Sequence, residues 1–152
     1  MLENDEKWPL HEEKAVKALE EARFLFESGF YDGACIRAIG SCVQIAKSVA
    51  IRLENDRDEK DWKVRIRRMI MDGRLPASLQ GPFKDIMTAH SLETETSRSR
   101  DATRATEMIE LAETFTRLMK SASALTVSMN SPEVKQAMAA RGLTPQGMMA
   151  RG

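Results

Sequence analysis

A run of basic side chains near the middle of the chain has the residue types needed to bind phosphate. The run consists of Lys63, Arg65, Arg67, Arg68 and Arg74. Ammonium and guanidinium groups hold phosphate oxygens through charge-assisted hydrogen bonds, so these residues predict a face for nucleic acid or a nucleotide. Asp and Glu residues on both sides dilute the positive charge, and an ordinary solvated surface is the alternative interpretation. Aromatic residues that could stack on bases are scarce here.

The two cysteines are candidates for metal or redox chemistry. Cys35 and Cys42 are two helical turns apart, roughly 10 Å at about 1.5 Å per residue, which is too far for a disulfide between them. They form no Cys-x-x-Cys motif and no His cluster lies near them in the sequence. We therefore expect buried, reduced thiols, with no metal site and no cofactor.

Length and composition fit one helical domain. The 152 residues are 42% hydrophobic and 30% charged, and helix-forming residues dominate over aromatic ones. Basic and acidic residues balance at 23 each, so no global charge drives the protein onto nucleic acid or membrane. The acidic start predicts no secretory signal, and the apolar stretches are expected to be far too short to span a bilayer. We expect a cytoplasmic protein without membrane contact.

Apolar periodicity predicts an all-α, up-down bundle of four to five helices over residues 11–129. Residues 1–10 are expected to be an N-terminal extension. The predicted helices run from Pro9 to Gly29, from Tyr31 to Glu54, from Trp62 to Gly73, from Phe83 to His90 and from Asp101 to Val127. Gly29 is expected to end the first helix in a left-handed conformation, and Asp101 to cap the last.

The second helix has apolar stripes on two sides, which is typical of a central helix. Arg37 lies on this helix among the apolar residues. Its guanidinium is therefore expected either to form an ion pair, inside the protein or at an interface, or to face a ligand.

The last segment, residues 130–152, reads as a partly ordered tail. Ser131-Pro132 and Thr144-Pro145 are short helix-start signals, each followed by Gly. Neither helix is long enough to be stable alone. We expect this tail to pack on a second subunit or a partner.

A motif around the first turn resembles a known family. Gly29, Tyr31 and Ala34 form Gly-x-Tyr-x-x-Ala, and Arg37-Ala38 follows on the long second helix. In these residues the chain resembles HEPN-domain proteins, small prokaryotic helical bundles often found beside minimal nucleotidyltransferases. The same short motif occurs in tetratricopeptide repeats, but a single copy and a long second helix argue against a repeat array.

Two later motifs extend this resemblance over roughly residues 11–122. Gly73-Arg74-Leu75-Pro76 looks like the family's Gly-x-Leu-Pro passage before a main helix. Ala112 and Phe115 are similar to the family's closing Ala-x-x-Phe helix. The resemblance implies a homodimer, with the second apolar face of helix two as the contact surface.

Catalytic residues are implied by the resemblance only in altered form. Active HEPN ribonucleases carry an Arg, a polar residue after it, and a His four to six residues beyond the Arg. Here Lys84, Asp85 and His90 stand in those places, with Lys where Arg is expected. The alternative is that His90 only stabilises the C-terminal end of its helix. The other histidine, His11, is expected at the surface.

The resemblance and the missing Arg together imply a non-catalytic, dimeric binding module. Its ligand would be a nucleotide, a nucleic acid such as RNA, or a partner protein of the nucleotidyltransferase type. One alternative is a toxin-type, metal-independent endoribonuclease of a toxin–antitoxin pair, using His90 and Lys84. Another is a helical scaffold whose tail makes the interaction.

Overall fold

The computed structural model describes residues 4–54, 61–95, 100–129 and 132–142. Within these ranges the chain is helical and contains no strand, which confirms the predicted all-α bundle. The helices are α1 (Asn4–Glu27), α2 (Tyr31–Glu54), α3 (Trp62–Met71), α4 (Gln80–Glu95), α5 (Ala102–Met129) and α6 (Pro132–Ala140). A short 3-10 turn over Ala77–Leu79 leads into α4.

Polar contacts from α2 to α1 define an antiparallel pair. The Ser41 hydroxyl donates to the Ala15 carbonyl at 2.7 Å, and the Ser48 hydroxyl donates to the Trp8 carbonyl at 2.8 Å. As residue numbers rise along α2, the numbers of the contacted residues on α1 fall, so the two helices run in opposite directions. Small hydroxyl side chains let the two helices approach closely while satisfying their own donors.

Helix α5 runs parallel to α2. Near the start of both, the backbone N–H of Arg100 donates to Asp32 at 2.6 Å. Near the far end, the Arg52 guanidinium donates to the Ser123 hydroxyl at 3.1 Å. The turn before α4 is bonded to Thr126 near the end of α5, and Ala89 of α4 lines a pocket with Arg104 near the start of α5. Helix α4 therefore runs antiparallel to both. This arrangement is the up-down bundle that the sequence predicted.

The turn between α1 and α2 follows the expected glycine geometry. Gly29 has a φ of 83°, and its N–H donates to the Phe26 carbonyl. The Phe30 N–H donates to the Leu25 carbonyl at 2.8 Å. These two bonds are those of a Schellman motif, which needs a residue that tolerates positive φ at this position.

Helix α1 begins earlier than the sequence indicated, because Pro9 lies inside it rather than at its start. The turn before Pro9 is held by tertiary contacts with α2. The Arg52 guanidinium lies 4.2 Å from the centre of the Trp8 ring, and Ser48 bonds the Trp8 carbonyl. These contacts offset the backbone donor that proline lacks.

The core is formed mainly by α1, α2 and α5, with α3 and α4 closing one side. Phe115, Ile45, Met119 and Met69 are among its largest fully buried side chains. Both apolar stripes of α2 are buried inside this single chain, so its second apolar face is not free to form a dimer surface as expected. What α2 exposes is a narrow stripe that includes Ile36, at 54% exposure.

Helix α2 also corrects the expectation that no apolar stretch reaches bilayer length. Among the described residues it is the one helix long and apolar enough to cross a membrane by length and composition. Of its most apolar window, 67% is buried inside the bundle. A core helix of a soluble protein meets the same criteria, and its burial agrees with that interpretation.

Two predicted helix starts are confirmed. The Asp101 carboxylate accepts from the Arg104 backbone N–H at 2.9 Å, as an N-cap does. Helix α6 begins at Pro132 and contacts α5, with exposed side chains at several positions. The second tail signal, Thr144-Pro145, lies outside the described residues. Helix α6 is thus the described part of the tail, and the docking of the tail on another subunit stays a prediction.

Candidate functional site

The first turn of α3 and the last part of α4 bring an ammonium group and an imidazole together. The Lys63 Nζ atom lies 3.3 Å from His90 Nδ1. Lysine can only donate, so Nδ1 accepts and the ring proton resides on Nε2. The indole of Trp62 lies behind this pair, edge to face with the imidazole at 6.1 Å between centroids. Trp62 is buried and fixes where α3 begins.

His90 is held in its neutral form by its surroundings. Partial burial lowers its pKa from the ordinary value, and the positive charges of Lys63 and then Lys47 lower it further. Lys47, on α2, is close enough for its charge to act on the imidazole. The cationic cluster is defined here as Lys47, Lys63 and His90.

The cluster has no acidic partner among the described residues. Neither Lys47 nor Lys63 forms an ion pair with a carboxylate in the described ranges, and both side chains are partly exposed. Like charges brought together without a counter-ion repel each other, and binding an anion relieves that repulsion. The cluster therefore has the electrostatics of a phosphate site.

Two members of the predicted basic face are used elsewhere. Arg65 is 5% exposed, and its Nε atom lies 3.6 Å from the Glu54 carboxylate. Arg74 lies 3.2 Å from the other oxygen of Glu54 and 2.9 Å from Asp72. Both guanidinium groups belong to an ion-pair network that joins α2 to α3 and to the turn after it.

This network shifts the protonation of its members in the expected directions. Slight burial acts to raise the pKa of Asp72, but hydrogen bonds and charge from Arg74 outweigh it and lower the pKa. The hydrogen bond to Asp72 raises the pKa of Arg74. The Thr126 hydroxyl also donates to the Arg74 carbonyl at 3.0 Å, which ties the turn to α5. Arg74 is thus a structural residue of this corner.

The remaining basic residues of the run, Arg67 and Arg68, are exposed on α3. Arg67 lines a groove between α3 and α4 of about 290 Å³, and Lys84 lines it from α4. Asp85 lines a different pocket, between α4 and α5. Lys84, Asp85 and His90 therefore point to three different surroundings, and no described contact joins Lys84 to His90.

Arg37 forms an exposed ion pair rather than a buried one. Its Nε atom lies 3.3 Å from the Glu21 carboxylate of α1, and the Arg37 side chain is 58% exposed. This pair crosses the same α1–α2 interface as the serine contacts. The ion pair with Glu21 therefore explains the position of Arg37 without a ligand.

The expectation for His11 was wrong. His11 is 8% exposed, and its Nδ1 donates to the Gln44 side-chain oxygen at 2.7 Å. The residue lies on the face of α1 that packs on α2. Apolar spacing placed this position beside the buried stripe, but a polar residue type does not reveal which face it occupies.

Sequence reasoning missed Lys47 and the Lys63–His90 contact. Lys47 stood out only as a lysine within an apolar helix, a weak signal because long stems can reach solvent from such positions. Lys63 and His90 belong to different helices, whose packing no local pattern encodes. The missing information was the path of α4 past the start of α3.

The cysteines are placed as predicted. Cys35 and Cys42 are buried in α2 and form no disulfide, and burial raises the pKa of Cys42 to about 12. A thiol so resistant to ionisation is a poor nucleophile and a poor metal ligand. Within the described ranges, no group of three or more His, Cys, Asp or Glu residues could hold a metal ion.

The cationic cluster is thus the described site best suited to chemistry. A neutral imidazole can accept a proton, and two ammonium groups can hold phosphate oxygens. Comparison with protein-family models, curated proteins and solved structures found no match to this chain. The resemblance to HEPN-domain proteins accordingly stays a prediction from its motifs.

Proposed function

We propose that the protein is a non-catalytic, HEPN-like binding module that recognises the phosphate of a nucleotide, either free or within RNA. The observation that carries the proposal is the convergence of Lys47, Lys63 and His90 without a carboxylate partner among the described residues. Lysine ammonium groups bind phosphate through charge-assisted hydrogen bonds. Reduced, buried cysteines agree with a cytoplasmic setting.

Binding of a labelled RNA oligonucleotide and of ATP tests the proposal. Lys63→Gln is expected to weaken binding about tenfold, the loss of one charge-assisted bond. Lys14→Gln is the matched control, since it removes one positive charge from the exposed side of α1. Equal binding by wild type and Lys63→Gln would contradict the proposal.

Salt dependence separates the two sources of phosphate. If RNA is the ligand, the logarithm of affinity falls steeply with the logarithm of salt concentration, and Lys63→Gln lowers that slope by about 1. If free ATP is the ligand, ATP should bind saturably, and RNA should compete with it only weakly. Inorganic phosphate is the minimal probe for both cases.

An endoribonuclease is the second candidate, because a specific contact favours it. If the Lys63 ammonium moves from His90 Nδ1 onto the phosphate, Nδ1 is free to take the 2′-hydroxyl proton while that ammonium stabilises the phosphate charge. In this version Lys63 replaces the Lys84 that the motif alignment suggested. Incubation with structured RNA, wild type beside His90→Ala, decides the question: cleavage that survives the substitution removes this mechanism.

We further propose that the module dimerises through the exposed stripe of α2. Ile36 is 54% exposed, and a Cβ added to Gly40 would meet no atom within 4 Å, so another helix can approach there. Ile36→Glu is expected to shift the protein toward monomer in sedimentation analysis. Val64→Glu, at a position 58% exposed on α3, is the control. A wild type that sediments only as monomer at micromolar concentration would refute this interface.

A further inference from the structure

The groove between α3 and α4 is a second concave feature, separate from the cationic cluster. Its volume is about 290 Å³, close to the lower end of small-molecule sites, roughly 300 Å³. Its lining is mostly apolar: Ile70, Met71, Phe83 and Met87. Met71 is 79% exposed, the largest exposed fraction among the large apolar side chains of the described residues. The apolar part of a ligand would cover Met71 and the rest of this lining.

Two positive charges border this apolar lining. Arg67 contributes from α3 and Lys84 from α4. Among the described residues neither forms an ion pair, whereas Arg65 and Arg74 nearby are both paired with Glu54. Two cations beside an apolar floor are complementary to a molecule with a hydrocarbon part and an acid group.

The size of the groove favours a small molecule over a protein helix. Along α4 its lining extends from Gln80 to Thr88, roughly 12 Å at about 1.5 Å per residue. A stable protein interface buries on the order of 800 Å² on each partner, more than so short a groove supplies. A chain of about eight carbons fits that length. Methionine side chains adapt readily to such ligands.

We propose that this groove binds a small amphipathic carboxylate, with Arg67 and Lys84 holding the acid group and the apolar floor holding the hydrocarbon chain. Neither residue belongs to the cationic cluster. The groove therefore binds independently of the phosphate site.

Methyl NMR of the methionines, with octanoate as the probe, tests the proposal directly. The Met71 and Met87 methyl signals are expected to shift saturably, while that of Met119, fully buried in the core, stays in place. Arg67→Gln and Lys84→Gln should each weaken octanoate about tenfold. Arg68→Gln, an exposed cation of the same helix outside the groove, should bind as wild type does.

Two further measurements show whether octanoate binds through its charge or through nonspecific apolar contact. Octan-1-ol has the same chain without the acid and loses both charge-assisted contacts, so it should bind about a hundredfold more weakly than octanoate. Equal binding of the alcohol, or absent shifts at Met71 and Met87, would overturn the proposal. Lys63→Gln should leave octanoate affinity unchanged, so failure at the phosphate site and failure at the groove are read separately. Circular dichroism of each variant confirms that it is folded.

Discussion

Lys63 Nζ and His90 Nδ1 lie 3.3 Å apart, although 27 residues separate them in the chain. The contact joins the first turn of α3 to the late part of α4, and it fixes the tautomer of the imidazole. Partial burial lowers the pKa of the ring, and a cation at this distance lowers it further. The contact therefore contributes to the charge of the site and to its response to pH.

His90 should titrate below the ordinary histidine value of about 6.5. Its folded-state pKa is lowered, so the unfolded chain binds the proton more readily. The contribution of His90 to stability is thus present above about pH 6.5 and is lost as the pH falls through the folded-state pKa. Imidazole NMR titration measures the pKa, and Lys63→Gln should raise it.

A substitution of His90 tests its predicted effect on stability. His90→Asn should flatten the dependence of the melting temperature on pH just below about 6.5. Phosphate binding should move the His90 pKa upward, because the anion stabilises the imidazolium. A pKa at or above the ordinary value in free wild type would show that the Lys63 contact does not persist in solution.

Ser41→Ala should destabilise the fold by about 1 kcal/mol, the typical net value of a buried hydrogen bond. The Ser41 hydroxyl is fully buried and donates to the Ala15 carbonyl at 2.7 Å. Ser121→Ala, at an exposed position of α5, is the matched control with the same gain in helix propensity. Urea unfolding of both variants gives the difference. Equal stabilities would mean that the α1–α2 contact contributes nothing.

Removing one side of the buried ion pair should cost far more than removing one side of an exposed pair. Arg65→Ala is expected to lose about 3 kcal/mol, the low end for a buried pair, because Glu54 keeps Arg74 as a partner. Arg37→Ala, which breaks only the exposed pair with Glu21, should lose less than about 1 kcal/mol. Chemical denaturation compares them. Similar losses would place Arg65 in solvent rather than in the interior.

Phe115 and Phe24 form a matched pair for testing the core. Phe115 is fully buried, and Phe24 is 69% exposed on α1. Phe115→Ala should lower the free energy of unfolding by about 3–5 kcal/mol because it leaves a cavity. Phe24→Ala should change it by about 0.5 kcal/mol or less. A large loss from Phe24→Ala in the isolated protein would indicate that a second copy covers this side chain.

Local patterns were reliable where a short segment decides its own conformation. Gly29 ends α1 with positive φ and Asp101 caps α5, because each motif requires only a few consecutive residues. The start of α1 was not predictable in this way. Contacts of Trp8 with α2 stabilise the helical turn that precedes Pro9, and such tertiary contacts are not encoded in a local pattern.

The basic run illustrates the limit of spacing arguments. Its five cations lie near one another in the sequence, yet their surroundings differ. Arg65 and Arg74 join the network around Glu54, Arg67 lines the groove, Lys63 contacts His90, and Arg68 is exposed outside all three. Arg65 and Arg67 lie two positions apart on α3, about 200° around the helix at 3.6 residues per turn, so they face opposite directions. Which direction meets Glu54 and which meets the groove depends on the neighbouring helices.

The sequence by itself determined the helices, their approximate ends, the burial of the cysteines and the all-α bundle. These follow from apolar periodicity, capping residues and the balance of helix-forming types, all of which act over a few turns. The tertiary structure alone decided that His90 faces Lys63 and Lys47, that His11 is buried, and that both apolar faces of α2 are used within one chain. Each of these depends on which helices pack together and in what direction, and contacts between residues far apart in the chain set that arrangement.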